Sequence, residues 1–342
     1  MIGIAVIGLG NALEPHAKSL LDLKDRARVV WAAARSDATT KAAADRYGFP
    51  VSTDIARAIQ DPAVDAVMIL APANAHLPIA QAAFAAGKHV LCEKPLETSV
   101  ARGEQLIATG RRAGRWLGIM LQMRFRPGSQ RLKRILDAGE LGPIQAAAML
   151  VPWWRSQAYY DEPGRGTRER DGGGLLITQA IHVLDLFRWF VGVSRVEAAQ
   201  VATTALHRME TEDYAAALVR LGNDAPGTIM GTVAAYPGSA ESVQVIGLLG
   251  TASLTRGNLR VAWLDGREEI LTDDGGSGSG ANLMGFSHEP HKAVLADFLD
   301  AIEAGREPAI PGEEALATQR VIEDILAVGW RAMNMESMHG RA

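Results

Sequence analysis

Up to Arg124 the chain alternates between apolar runs of strand length and helical patterns, and this alternation limits its fold more than any other feature. Apolar, β-branched runs stand at Ile2–Ile7, Val29–Ala34, Val64–Leu70, His89–Cys92 and Trp116–Leu121, with a weaker one near Val51. Between them, Leu13, Ala17, Leu20 and Leu21 share one helical face, as do Ile79, Ala82, Ala83 and Ala86. Pro15 suits a first helical turn, and Gly87 and Gly114 stand where helices should stop. Continuous apolar strands, each followed by a helix, specify a parallel sheet covered on both faces. About six strands over about 122 residues is the size of a doubly wound dinucleotide-binding domain.

After Arg124 the pattern changes, so the expected boundary divides a first domain (1–123) from a second (124–342). The total of 342 residues exceeds what one modest core supports, which agrees with two domains. A helix over Gln130–Ala138 and a strand over Ile144–Val151 lead into an aromatic, arginine-rich segment, and a helix then runs from about Gly174 to Phe190. Alternating runs follow without helices between them, at Arg195–Ala202, Tyr214–Leu221, Thr228–Ala235, Val243–Leu248 and Leu259–Trp263. They predict a largely antiparallel sheet. By composition Asp273–Asn282 is a flexible loop, and helices over His291–Ala304 and Glu313–Ala332 close the chain. The fold class is α/β: a doubly wound parallel sheet, then an α+β domain with a mainly antiparallel sheet.

Composition narrows the function. A net charge of -4 gives no reason to expect a nucleic-acid partner. The lone Cys92 excludes an internal disulfide framework and suits a reducing cytosol. No uninterrupted apolar run is long enough to span a bilayer, and "MIGIAVIGLG" lacks a basic leader and cleavage site. A cytoplasmic protein with no membrane partner is expected.

Ligands on open parallel sheets bind beyond the carboxyl ends of the strands. The unusual residues of the first domain collect there: "GLGNAL" after strand one, "ARS" after strand two, "APANAH" after strand four, "CEKP" after strand five and "QMRF" after strand six. Packing alone has no reason to gather glycines, prolines and charges along one rim. Gly8-x-Gly10, followed by Asn11 and Ala12, ends a strand and opens a helix, the context of a pyrophosphate-binding turn. Leu13 replaces the third glycine of that fingerprint. Ala71, Pro72, Asn74, Glu93 and Lys94 complete the cofactor rim. An NAD site places an acid after strand two, where this chain has Arg35-Ser36. An arginine and a hydroxyl suit a 2′-phosphate, so NADP is the expected cofactor and NAD the alternative. The plainer reading is a solvated Arg35 with Asp37 as a helix N-cap.

Lys94 stands at the mouth of strand five, where an ammonium can stabilise a developing alkoxide beside the nicotinamide. Glu93 would hold that lysine and Pro95 would stop the strand; the alternative is a surface ion pair of little energetic weight. The helix after "DGGG" is apolar nearly all round, hence buried, with Thr178 and His182 one turn apart on one face. A buried histidine is more often a satisfied core residue than a catalyst. Here the glycines would leave the helix head open to a ligand, and histidine is the natural proton acceptor near neutrality. Asp185 either orients His182 or belongs to a packing network.

With these residues in place, the chain resembles the Gfo/Idh/MocA family of sugar-type oxidoreductases over nearly its whole length. "PANAHLPIAQAAFAAGKHVLCEKPL" is close to that family's signature from strand four to strand five. "RFRP" and "GGGLLITQAIHVLDLFRWFVG" resemble two further signatures, and "DFLDAIEAGREPAIPGEEA" fits its closing helices. The resemblance implies a Rossmann domain, a second domain whose open sheet serves oligomerisation (a homodimer or homotetramer), and hydride transfer between NAD(P) and a secondary alcohol or carbonyl on a sugar or polyol ring. It also implies that Lys94 is the motif lysine and His182 the catalytic histidine. Many members carry an aspartate four residues before that histidine. Thr178 stands there in this chain, and it can hydrogen-bond a substrate but cannot hold a negative charge.

"PWWRSQAYYDEPGRGTRERDGGG" supplies candidate substrate contacts. Trp153, Trp154, Tyr159 and Tyr160 could wall a ring, and Arg155, Arg165, Arg168 and Arg170, with Arg124 from the preceding stretch, suit an anionic ring substrate. The alternative is a solvated loop whose arginines pair with Asp161, Glu162, Glu169 and Asp171. His288 and His291 approach from the far end of the chain as possible pocket residues, and no metal site is expected from them. Two other functions share the fold: a nucleotide-binding regulator without chemistry, and an NAD-using glycoside hydrolase.

Overall fold

The computed structural model describes residues 1–273 and 287–339. They divide into two compact units, residues 1–122 with 288–316 and residues 123–287 with 317–342. In the first unit, strands β1 (Ile2–Ile7), β2 (Ala27–Ala33), β3 (Val51–Ser52), β4 (Ala66–Ile69), β5 (His89–Cys92) and β6 (Leu117–Ile119) form a parallel sheet in the order β3-β2-β1-β4-β5-β6. β1 and β4 are buried along their whole length, as strands covered on both faces must be. Helices α1 (Leu13–Asp22), α2 (Asp37–Tyr47), α3 (Ile55–Gln60), α4 (His76–Ala85) and α5 (Val100–Ala113) make the crossovers. Gly114 takes a left-handed φ of 61° to end α5, and Gly87, at φ 72°, follows α4.

A late helix, α10 (Glu289–Ala304), completes this unit by packing on α1 and β5. Its Phe298 is 2% exposed and lies 3.0 Å from where a side chain on Gly118 of β6 would begin, which explains a glycine inside that strand.

The second unit holds β7 (Ile144–Pro152), β8 (Arg195–Ala202), β9 (Tyr214–Arg220), β10 (Pro226–Thr232), β11 (Ser242–Gly247), β12 (Gly250–Thr255), β13 (Asn258–Trp263) and β14 (Glu268–Leu271). Their order is β14-β13-β12-β11-β7-β10-β9-β8, antiparallel except where β7 runs parallel to β10. The sheet is mainly antiparallel, as expected from the sequence. β12 and β14 were not anticipated: "GTASLT" has few large apolar residues, and "EEIL" opens on two charges. The helices of this unit are α6 (Pro127–Asp137), α7 (Gln157–Tyr160), α8 (Arg168–Asp171), α9 (Ile181–Val191) and α11 (Gly312–His339), whose first turn lies in the first unit. α9 covers one face of the sheet at β7 and β11, while Leu150, Leu218, Ile246 and Ile270 stay exposed.

α9 does not begin as a regular helix, because Leu176–Ala180 form a π-helical turn ahead of it. The helical stretch Arg168–Val191 has the length and hydropathy of a membrane span, yet 72% of its apolar window is buried inside the structure, as befits a core helix. The expected flexible loop Asp273–Asn282 lies outside the described residues except for Asp273.

Candidate active site

β1 and β4 are neighbours whose chains leave the sheet toward different crossovers, so their carboxyl ends mark the switch point of the first sheet. Gly8 leaves β1 there with φ 99°. A Cβ on Gly8 would stand 2.6 Å from the Ala71 nitrogen, so the turn is pressed against the exit of β4. Gly10 is exposed, with open space where its Cβ would point. α1 then starts without a side-chain cap: Ala12 occupies the cap position and Asn11 is exposed. Uncapped first-turn N–H groups and an open approach over Gly10 fit the phosphates of a dinucleotide. Leu13, in place of the third glycine, is 5% exposed and joins the core.

At the end of β2, Arg35 is exposed. Ser36, not Asp37, caps α2: its Oγ accepts the Thr39 N–H at 3.4 Å, and Asp37 is the first residue of the helix. A hydroxyl accepts there as well as a carboxylate does, and one residue earlier is where the chain turns helical.

The loops after β4 and β5 are tied from behind. The buried His76 ring faces Ala71 O through Nε2 at 2.9 Å and Pro95 O through Nδ1 at 3.0 Å. Glu97, fully buried, receives Arg102 through Nε and Nη2 at 2.8 and 2.7 Å, and Arg102 also reaches Asn74 O at 3.3 Å. Pro72 precedes the turn Ala73–Ala75, and the Asn74 side chain faces outward. Lys94 follows β5 and is joined to Pro95 by a cis peptide bond.

Glu93, expected to hold the lysine and to line the cofactor site, holds the lysine through its backbone as well as its charge. Its Oε1 meets His16 Nε2 of α1 at 2.7 Å, and its Oε2 accepts the Lys94 backbone N–H at 3.0 Å. Burial pushes its carboxyl up, but His16, Lys94 and His291 outweigh that and hold it down at about 2. Glu93 therefore fixes the backbone that presents Lys94 and stays ionised while doing so.

In the second unit, Thr178 lies on the π-helical turn and His182 at the start of α9, both half-buried. Thr178 Oγ1 donates to Gly174 O at 2.6 Å. The glycines before this helix are not a ligand opening. A Cβ on Gly174 would lie 2.1 Å from Glu212 O, and one on Gly173 would lie 2.9 Å from Ile177. Asp185 belongs to a buried network. Arg124 grips it through Nε and Nη2 at 2.6 and 2.7 Å, Thr318 Oγ1 donates to it at 2.8 Å, and Arg188 Nε reaches Thr318 at 2.9 Å. Arg124, expected among the substrate contacts, is 3% exposed, and its guanidinium is directed to Asp185.

The aromatic segment likewise turns inward. Trp153 is 4% exposed and donates through Nε1 to Glu241 at 3.2 Å, so it is a core residue and not a ring wall. Arg165 reaches Glu162 and the Tyr159 hydroxyl, Arg170 reaches Glu162 at 2.8 Å, and Arg155 is buried. Arg168 is exposed and lies 3.9 Å from Glu210. His288, the remaining substrate candidate, meets Asp22 at 2.8 Å, at the last residue of α1. That is one ten-residue helix, roughly 15 Å, from the glycine turn.

His16, His76 and Glu212 have partners far along the chain or in backbone groups, and Glu97 and Arg102, though only five residues apart, read as an ordinary local ion pair, so none stands out in the sequence. The exception is His76, which stands inside the "APANAH" stretch.

Residues 2–120 match the family model described as an oxidoreductase family with an NAD-binding Rossmann fold, and residues 129–253 match the GFO/IDH/MocA C-terminal domain. The chain is similar to myo-inositol 2-dehydrogenase of Thermotoga maritima, at 25% identity with 91% of each chain covered. Inositol 2-dehydrogenase 2 of Saccharopolyspora erythraea is 33% identical across 58% of this chain and 56% of that one. Among solved structures, the WlbA dehydrogenase of Bordetella pertussis, in complex with NADH and UDP-GlcNAcA, superposes with a TM-score of 0.81 at 26% identity, covering 96% of each chain.

Arg124→Ala removes the main partner of the buried Asp185, and should destabilise the protein by about 3–5 kcal/mol in denaturant unfolding. A variant of unchanged stability with a raised KM would instead return Arg124 to substrate binding.

Proposed function

The chain belongs to the Gfo/Idh/MocA oxidoreductase family, a nicotinamide-dependent group acting on CH–OH groups, and we propose that this member prefers NADP and works on a secondary alcohol or carbonyl of a ring polyol or sugar. The observation that carries the reading is the rim of the first sheet. Gly8, Gly10 and the uncapped α1 make a phosphate site, and the loop that presents Lys94 is braced by Glu93 and His76. The exposed Arg35 with Ser36, and no carboxylate ending β2, supports the preference for a 2′-phosphate.

When bound, the nicotinamide ring supplies the acceptor or donor of the hydride. In our reading the Lys94 ammonium stabilises negative charge on the reacting oxygen, and His182 takes the hydroxyl proton in the oxidative direction. Thr178, whose own proton is directed to Gly174 O, serves a substrate hydroxyl as an acceptor. The arginine loop lends an anionic ring little support, because Arg165 and Arg170 both meet Glu162. We also propose self-association through the open face of the second sheet, where Leu150 and Leu218 are 41% and 54% exposed.

Paired titrations of nucleotide-free protein should show NADPH binding tighter than NADH. Arg35→Asp should cost NADPH about 10–100-fold, the worth of one or two charge-assisted hydrogen bonds. Equal binding of the two cofactors by the unmodified protein would make Arg35 a bystander. Lys94→Met should lower kcat about a hundredfold or more while cofactor Kd holds; unchanged turnover would return the motif to a structural role. Sedimentation should find an oligomer that Leu218→Arg dissociates, and a monomeric unmodified protein would dispose of the sheet-face proposal.

A further inference from the structure

Glu212 is 1% exposed, and both its carboxylate oxygens and its backbone oxygen are turned on the head of the helix that carries Thr178 and His182. Its Oε2 accepts the Gly174 N–H at 3.2 Å, its Oε1 accepts the Leu176 N–H at 3.0 Å, and its backbone oxygen accepts the Leu175 N–H at 2.9 Å. The approach is close enough that a Cβ on Gly174 would fall 2.7 Å from Oε2. Gly174 O in turn accepts both the Thr178 hydroxyl, at 2.6 Å, and the Thr178 N–H, at 3.1 Å. The Glu212 carboxylate thus holds the two peptide groups that flank the Gly174–Leu175 peptide, and that peptide donates to the Glu212 backbone oxygen and accepts the Thr178 hydroxyl of the π-helical turn.

We propose that Glu212 is a positioning residue: through Gly174 it fixes the π-helical turn, and so the aim of Thr178 and the start of the turn that bears His182. Its relevance to turnover rests on the function proposed above, whereas the clamp itself does not. π-helical turns recur at functional sites because they re-aim side chains within a helix, and here the turn is held by a group that titrates.

Burial pushes the Glu212 carboxyl up to about 7, against the hydrogen bonds from Leu176, its own N–H and Gly174 and the charge of Arg168 on α8. Its neighbour Asp213 is engaged by His207 and Thr204. Ionised, both Glu212 oxygens accept an amide. Once protonated, one oxygen becomes a donor facing an N–H, and one of the two side-chain bonds is lost. Protonation also removes a buried charge, and because the carboxyl is raised to about 7 in the closed state this relief outweighs the lost bond, so the helix head is held more firmly below neutrality than above it.

Hydrogen exchange of the full chain, followed by mass spectrometry from about pH 6 to about pH 8 and corrected for intrinsic rates, reads this directly. In the unmodified protein, protection of the peptide spanning Gly174–Thr178 should fall about tenfold as pH rises through neutrality, while peptides of the first unit hold steady. Glu212→Gln, which cannot titrate, should show no such inflection. Its kcat–pH profile should lose a limb near neutrality that the unmodified enzyme has, with cofactor Kd unchanged. Protection that ignores pH in the unmodified protein, or an unaltered peptide in Glu212→Gln, would overturn the proposal. If no ring alcohol is turned over, the oxidoreductase reading fails and the exchange data still decide the clamp. If Glu212→Gln does not fold, the unmodified protein's pH series decides alone.

Discussion

The first sheet opens at one place, between the carboxyl ends of β1 and β4, because these hydrogen-bonded neighbours feed crossovers that run to α1 on one side and α4 on the other. That split leaves a crevice, and the backbone must reach its edge without filling it. Gly8 meets the first demand through a left-handed φ that sets the turn against Leu70 and Ala71. Gly10 meets the second by presenting no side chain toward open space. The two glycines of one short motif thus have different physical reasons: closeness of the protein to itself for Gly8, and room for something else at Gly10.

Each unit braces the backbone that carries its candidate residues with a carboxyl largely withdrawn from water. Two glutamates show how the surroundings decide the sign. Glu93 and Glu212 are both taken out of water, which raises a carboxyl pKa. Beside Glu93 stand His16, Lys94 and His291, and the carboxyl falls to about 2. Glu212 has mainly amide dipoles and the charge of Arg168 to set against burial, and it rises to about 7. Their contributions to stability run oppositely. The one from Glu93 is present above its unfolded value, near 4.5, and is lost as pH falls toward about 2. For Glu212 it is present below about 4.5 and lost as pH rises through about 7. Glu93 is a permanent brace at any ordinary pH, and Glu212 an adjustable one.

The sheets were legible because parallel and antiparallel strands leave different burial signatures in short stretches of chain. β1 and β4 read as unbroken apolar runs, and β13 reads as strict alternation. β12 escaped notice because Gly250, Thr251 and Ser253 do not announce a strand; its neighbours on both sides supply the reason it is one. The run Gly172–Gly174 was legible as special but not in kind. Glycine marks a close approach without saying to what, and Gly174 faces Glu212, thirty-eight residues on, instead of a ligand. Long-range partners explain the other misses. Arg124 looks like a free cation until Asp185 is brought to it, and His288 looks like a pocket residue until Asp22 is. The acids near the arginine segment were close enough in sequence to be offered as partners in advance, and of these Glu162 does hold Arg165 and Arg170.

The same geometry bears on what replaces a carboxylate at Thr178. An aspartate there would accept hydrogen bonds and bring a charge, which would favour a protonated histidine one turn on. Threonine keeps the acceptor and drops the charge, provided its own proton is directed elsewhere, and Gly174 O takes it at 2.6 Å. A hydroxyl left to rotate would offer a donor as readily as an acceptor, and the substrate would meet a mixture. The Glu212 clamp on Gly174 removes that freedom by fixing the carbonyl to which Thr178 donates. The carboxyl missing from the turn itself is not missing from its surroundings: Glu212 stands buried behind it, on the amides that flank the peptide group to which Thr178 is bonded.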